Sequence, residues 1–341
     1  MTETEYQLRN PTTSFGLKEH PMTDHHPRQP LTRRAALAAG LGTLTATALG
    51  HRLAFAAPAA GATVKIGCGT VSFRKQPLKE ALARVRRAGY DYVEPQATGP
   101  WCPHVDVWKD DPQAFRQLVR EAGFQGVTAL WAPQGAIIPN PKSVEGITQA
   151  IRWAKEAGIP VVNAGDGRKP DNMSDADALK LLGERLSAIL EVATQCGVYL
   201  AIEPHGTFSL TADGLKRIMA LSDSKWLGIN YDTANVRRAT CATPAAGGYP
   251  WPFYGQRQDE VATLRAVVDR VVHVHVKDVV GSQCVALGQG QVNLRGCLEV
   301  LKQSGYRGVL SLETEGEFEP DQCQRLIEAS RAYLVRETAA G

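Results

Sequence analysis

After residue 63 one pattern recurs eight times: a short β-branched or apolar run, then a helical stretch, often stopped by glycine. Strand Val64–Gly69 leads to helix Pro77–Ala88, Tyr90–Glu94 to Asp111–Ala122, Gly126–Trp131 to Ser143–Ala157, and Pro160–Ala164 to Ser174–Cys196. Strand Val198–Glu203 leads to helix Thr211–Leu221, Trp226–Asp232 to Asp259–Val268, Val271–Val276 to Leu294–Ser304, and Gly308–Glu313 to Pro320–Arg336. Such alternation argues for a parallel sheet. Eight units fit a closed (β/α)₈ barrel, an α/β fold in a single domain over residues 57–341. Val198–Ile202 and Val309–Leu312 are apolar on both faces, as strands buried inside a ring of helices must be. An open doubly wound sheet would carry a glycine-rich phosphate loop after its first strand. Gly67-Cys-Gly69 lacks the third glycine and no helix follows it at once.

In such barrels the reactive groups stand at the carboxyl ends of the strands. The fifth strand ends in Glu203 and His205, the sixth in Asp232, the seventh in His273, His275, Lys277 and Asp278, the eighth in Glu313 and Glu315. Side chains alternate along a strand, so His273, His275 and Lys277 share one face of Val271–Asp278. Burying them is costly unless something uses them. Glu203, Asp232, His275 and Glu313 are expected to converge. Three carboxylates at one point repel each other unless protonated or bridged. One divalent cation resolves the conflict, and oxygen-rich ligation with one nitrogen suits Mn²⁺ first, then Mg²⁺, Co²⁺ or Zn²⁺. His273 lies one layer deeper than His275 and is expected to orient a ligand. His205, Lys277, Trp131 and Glu94 are expected to touch substrate. For Lys277 the competing role is a pair with Glu315, and for Glu94 a structural ion pair. Trp101 and Trp108 join Trp131 as stacking candidates. The long loop Val236–Gln258, with Tyr249-Pro-Trp-Pro-Phe-Tyr254, reads as a substrate cap.

The composition, 43% hydrophobic and 21% charged, is that of an ordinary globular chain. Residues 1–30 are polar and aperiodic. Thr32-Arg33-Arg34, an Ala/Leu/Gly run to Gly50 and Ala54-Phe55-Ala56 then form a secretory signal of twin-arginine type. Residues 1–56 are thus expected to be a leader, the mature chain is expected in the periplasm, and no stable membrane association should remain after cleavage. The leader carries six of the Lys/Arg and four of the Asp/Glu, so the net charge falls from +3 to about +1 on its removal. That near-neutrality gives no reason to expect a nucleic-acid partner. The seven cysteines include no Cys-x-x-Cys pair, which leaves a zinc ribbon or redox motif without support. The oligomeric state is left open.

Ile202-Glu-Pro-His205, Tyr231-Asp-Thr-Ala-Asn235, His273-Val-His-Val-Lys-Asp278, Leu287-Gly-Gln-Gly290 and Ser311-Leu-Glu-Thr-Glu315 resemble the motifs of the sugar phosphate isomerase/epimerase family of xylose-isomerase-like TIM barrels. The resemblance covers roughly residues 64–335. It implies that Glu203, Asp232, His275 and Glu313 hold the metal and that Glu203 and Glu313 also form an acid–base pair. The family's ketose epimerases carry a substrate-binding histidine three residues after the metal aspartate, where this chain has Asn235. An amide can bind a substrate hydroxyl but cannot carry a proton at neutral pH, which weakens the case for a plain ketohexose 3-epimerase. The expected function is a metal-dependent isomerase or epimerase acting on a neutral sugar or polyol ketone through an enediolate. The competing expectation is a lyase or dehydratase on keto-sugars of 3-keto-glycoside or inosose type.

Overall fold

The computed structural model describes residues 64–239 and 255–339. The expected leader, Cys241 and the Tyr249–Tyr254 stretch lie outside the described residues. Those described belong to one compact unit, Leu53–Gly341.

Nine parallel strands build the sheet: β1 Lys65–Gly69, β2 Tyr92–Glu94, β3 Gly126–Val127, β4 Leu130–Ala136, β5 Val161–Gly165, β6 Tyr199–Ile202, β7 Leu227–Asp232, β8 Val271–Val276 and β9 Val309–Leu312. Their spatial order is β3-β2-β1-β9-β8-β7-β6-β5-β4. The two ends of that order, β3 and β4, are successive pieces of one stave, so the sheet closes on itself with eight staves. Thr128 N–H still donates to Val93 O at 3.0 Å, and Gln96 forms a parallel bridge to Trp131, which carry the closure across the break. The single strand expected over Gly126–Trp131 is therefore divided and runs on to Ala136. Its later part is irregular, with a register shift between Trp131 and Ala136. Pro133 has no N–H for the ladder and Gln134 takes a left-handed φ of 58°, so regular pairing cannot run through them.

The helices form where caps and periodicity meet. Ser174 accepts a hydrogen bond from Asp177 N–H and starts Asp175–Cys196. Leu182, Leu186 and Ile189, spaced four and three apart, are fully buried on its inner face. Each such side chain stabilises the fold by about 1.5–3 kcal/mol. Gly197 ends that helix and Gly158 ends Ser143–Ala157, both left-handed at φ 68° and 78°. Among the described residues no helix is long and apolar enough to cross a membrane. The six described cysteines are free thiols.

Two short antiparallel hairpins leave the carboxyl pole, Ala97–Thr98 with Cys102–Pro103 and Asp278–Val280 with Gln283–Val285. The second explains the Leu287–Gly290 motif. Asp278 is buried and accepts hydrogen bonds from the backbone N–H groups of Val279, Gly288, Gly290 and Val292 at 2.9–3.1 Å. One carboxylate thus replaces the ladder that this loop lacks. Asp278→Ala is expected to lower unfolding free energy by about 1–3 kcal/mol, because the donors lose their acceptor. Denaturant melts would show it, and amide exchange at Gly288 and Gly290 should accelerate.

Candidate functional site

Register assembles the site. Asp232 on β7 lies beside His275 on β8, and His275 beside Ser311 on β9. Glu203 follows the last residue of β6 and Glu313 the last residue of β9. Each of Glu203, Asp232, His275 and Glu313 offers one ligand atom, and these atoms all lie within 4.8 Å of one another. All four side chains are buried. The convergence expected from the strand ends is therefore present.

Their surroundings fix which atoms face inward. Asp232 Oδ1 accepts hydrogen bonds from the N–H groups of Ala234 and Asn235 at 2.7 and 2.9 Å. Its Oδ2 stands 2.9 Å from Lys277 Nζ, which also lies 2.7 Å from Glu313 Oε2 and 2.9 Å from Glu315 Oε1. Neither Asp232 Oδ2 nor Glu313 Oε2 receives a hydrogen bond of good geometry. Glu203 is held on both oxygens. Trp131 Nε1–H and Asn230 Nδ2–H donate to Oε2, each at 2.9 Å. His205 Nε2 stands 2.7 Å from Oε1, and Asn235 Nδ2–H donates to the same oxygen at 3.0 Å. Gln96 Nε2–H donates to Glu313 Oε1 at 3.1 Å. His275 Nδ1 lies 3.2 Å from both Glu203 Oε2 and Glu313 Oε2.

The electrostatics follow. Burial pushes the Glu203 carboxyl up, but the imidazoles of His205 and His275 outweigh it and hold the group at about 2. For Glu313, burial is again outweighed, by His275 and Lys277, and the carboxyl falls well below its ordinary range. Asp232 moves the other way. Burial raises it, Lys277 opposes, and the neighbouring Glu203 and Glu313 charges reinforce the rise. Burial would lower His275, yet Glu313, Glu94 and Glu203 together raise it well above an ordinary histidine. His273 is pushed down to about 4 by burial.

The donor set fits a divalent cation. Three carboxylates and one imidazole converge, and Lys277 stands against the inward oxygens of Asp232 and Glu313. One ammonium does not balance three buried carboxylates, and a divalent cation would supply the rest.

The other expected residues divide. His205, Trp131 and Trp101 line a partly open pocket that also takes in Gln96, Thr98, Glu313 and Glu315. Asn235 is fully buried between Glu203 and His205. Lys277, expected on the substrate rim, is also fully buried, among Asp232, Glu313 and Glu315. Its alternation places it on the inner face one step beyond His275, where the acids draw it inward. Glu94 turns away from the pocket toward His275, Asn163 and Ser311. Trp108 is half exposed and takes no part in the lining. His273 Nδ1–H donates to Asn230 Oδ1 at 2.9 Å and does not join the four-residue cluster. Sequence reasoning missed Asn230, which links His273 to Glu203 and His275. The signal was available, since Asn230 lies two residues before Asp232 and shares its face. It also missed Asp166, whose buried carboxylate accepts from Phe208 N–H and from Ser209 Oγ–H and N–H. Ser209 Oγ in turn accepts from His205 N–H at 3.0 Å, so Asp166 shapes the turn that carries His205.

The sequence profile of the xylose isomerase-like TIM barrels matches residues 82–333. An uncharacterized protein of Methanocaldococcus jannaschii is 30% identical over 181 residues, which are 51% of this chain and 57% of that protein. L-ribulose-5-phosphate 3-epimerase of Shigella flexneri is 24% identical over 276 residues, 77% of this chain and 90% of the enzyme. Among solved structures, a D-tagatose 3-epimerase-like protein superposes with a TM-score of 0.65 at 21% identity, over 81% of this chain and 98% of that one. The IolI protein, solved with a bound zinc atom, superposes with a TM-score of 0.62 at 16% identity, over 81% and 99% of the two chains. These structures share the fold; the profile match covers most of the chain's length. The chain belongs to the xylose isomerase-like TIM barrel family.

Proposed function

We propose that this protein is a divalent-metal-dependent isomerase or epimerase of a neutral sugar or polyol ketone. One observation carries the reading: Glu203, Asp232, His275 and Glu313 converge within 4.8 Å, with Glu313 on the lining of a pocket walled by Trp101 and Trp131. Glu203, Asp232, His275 and Glu313 would hold the cation, Mn²⁺ first among the candidates, and it would supply Lewis-acid polarisation of a carbonyl and its neighbouring hydroxyl.

The chain's own groups then move the proton. Glu203 and Glu313 come from β6 and β9, on either side of β7 and β8; Glu313 lines the pocket, and Glu203 accepts from Trp131 and lies 2.7 Å from His205, both of which line it. Both carboxyls sit below their ordinary range and are in the base form at neutral pH. One abstracts the proton α to the carbonyl and the other returns it, to the opposite face for an epimerase or to the adjacent carbon for an isomerase. His205, on the pocket wall, would bind a substrate hydroxyl, and Asn235 Nδ2–H holds Glu203 in position. The tryptophans exclude water and offer apolar faces to a sugar ring. Glu313 and Glu315 on the lining oppose a phosphorylated substrate by like charge, which favours a neutral sugar. That preference agrees with the export expected from the leader.

Incubation in D₂O with a panel of keto-sugars tests the reading. The expected result is deuterium uptake at the carbon beside the carbonyl with the carbon skeleton and all substituents kept. Release of water or of an aglycone would instead make the protein a lyase.

A further inference from the structure

Glu94 closes β2 at the carboxyl pole, yet neither of its oxygens faces the pocket. Its side chain is 2% exposed. Oε1 stands 2.8 Å from His275 Nε2 and accepts a hydrogen bond from Asn163 Nδ2–H at 2.9 Å. Oε2 accepts from Ser311 Oγ–H at 2.6 Å. Two donors from β5 and β9 therefore fix the carboxylate plane, and Nε2 of His275 meets an acceptor that cannot turn aside. The opposite ring nitrogen, Nδ1, is the atom near Glu203 and Glu313.

The orientation of His275 is secured from a second side. Asn230 presents Oδ1 to His273 Nδ1 at 2.9 Å, so its Nδ2 must point the other way, to Glu203 Oε2 and, at 3.2 Å, to His275 Nδ1. Without a cation, Nδ1 also faces the Glu203 and Glu313 carboxylates, which favour a hydrogen there; a cation seated among them would take the Nδ1 lone pair while Nε2–H stays on Glu94.

A competing use of these atoms is a separate cation held by Glu94, His273 and His275, whose donors also cluster within 4.8 Å. The distances speak against it. Glu94 Oε1 and His275 Nε2 are already at hydrogen-bond separation, and Asn163 and Ser311 take up further lone pairs of the carboxylate.

We infer that Glu94 is a positioning residue: it holds the Nε2–H of His275 so that Nδ1 is the nitrogen offered to the cation. The inference rests on the proposed cation site and adds a residue to it. A carboxylate behind a ligating imidazole fixes the ring, selects the tautomer and raises the basicity of the ligating nitrogen, and its loss costs about 10–100-fold in metal affinity.

Zinc, which is diamagnetic, is the probe, and the full chain carries the test. In zinc-loaded wild type with ¹⁵N-labelled histidine, His275 should show a metal-shifted Nδ1 and a protonated, slowly exchanging Nε2. Calorimetry should find zinc bound about 10–100-fold more weakly by Glu94→Ala. Glu94→Gln, whose amide oxygen still accepts from Nε2–H, should recover most of the affinity and keep the Nδ1 signature. A merely structural Glu94 would not set which nitrogen is metallated. Zinc on Nε2 with a protonated Nδ1 overturns the inference in the wild type alone, whatever the folding of the variants. Wild-type affinity in a folded Glu94→Ala overturns it as well. If wild type takes up no zinc, manganese or cobalt, the cation site itself fails, and this inference with it.

Discussion

Glu313→Gln is expected to lower turnover by about 10²–10⁴-fold while leaving the fold intact, and Glu203→Gln to do the same. Each change keeps shape and one carbonyl oxygen but removes a base that the site keeps ionised. For Glu313 the ionisation is set against burial by His275 and Lys277, whose charges lower its carboxyl well below the ordinary range. For Glu203 the corresponding partners are His205 and His275. The amide of the variant cannot accept the α-proton at any accessible pH. Initial rates on the keto-sugar that wild type turns over, with the bound metal of each variant measured beside them, separate lost proton transfer from lost metal. The double variant should be no slower than the worse single one, because the two residues act in one proton relay. Full activity in the double variant would remove both residues from the chemistry.

Lys277→Met is expected to destabilise the metal-free protein by about 3–5 kcal/mol, the cost of breaking a buried ion pair by removing one partner. The ammonium is wholly buried and lies within 2.9 Å of oxygens on Asp232, Glu313 and Glu315. Burial would lower its proton affinity, but the three acids outweigh this and keep it charged. Without it those acids lose their one buried lysine countercharge. A bound divalent cation supplies replacement charge, so added metal should recover more stability in the variant than in wild type. Urea denaturation with and without metal reads both effects. A change below about 1 kcal/mol in the metal-free state would show that the acids are balanced some other way.

Much of the fold was legible in the sequence because the barrel repeats one simple rule. Eight apolar runs alternate with eight amphipathic stretches, and period and length suffice to place them. What escaped was local. Pro133 and the left-handed Gln134 distort the third stave, and pairing at its break is carried by single hydrogen bonds that no periodicity announces. The core of the site was equally legible, because Glu203, Asp232, His275 and Glu313 stand at matching strand ends. The roles of their neighbours were not. Alternation put Lys277 on the correct face, but its depth depends on how three acids pull it inward. Glu94 lies at the right pole, but its direction depends on Asn163 and Ser311, which come from strands far away in the chain. Asp278 looked like part of a site motif and proves to be a loop anchor, because its four partners are backbone N–H groups.

The most direct test is to strip the purified protein with a chelator, titrate it with Mn²⁺, Co²⁺ and Zn²⁺ in turn, and measure stoichiometry by calorimetry and elemental analysis. The expected result is one divalent ion per chain, with binding greatly weakened in Asp232→Ala. The contradicting result is a wild-type protein that carries no divalent ion and rebinds none, or an Asp232→Ala variant that binds as tightly as wild type.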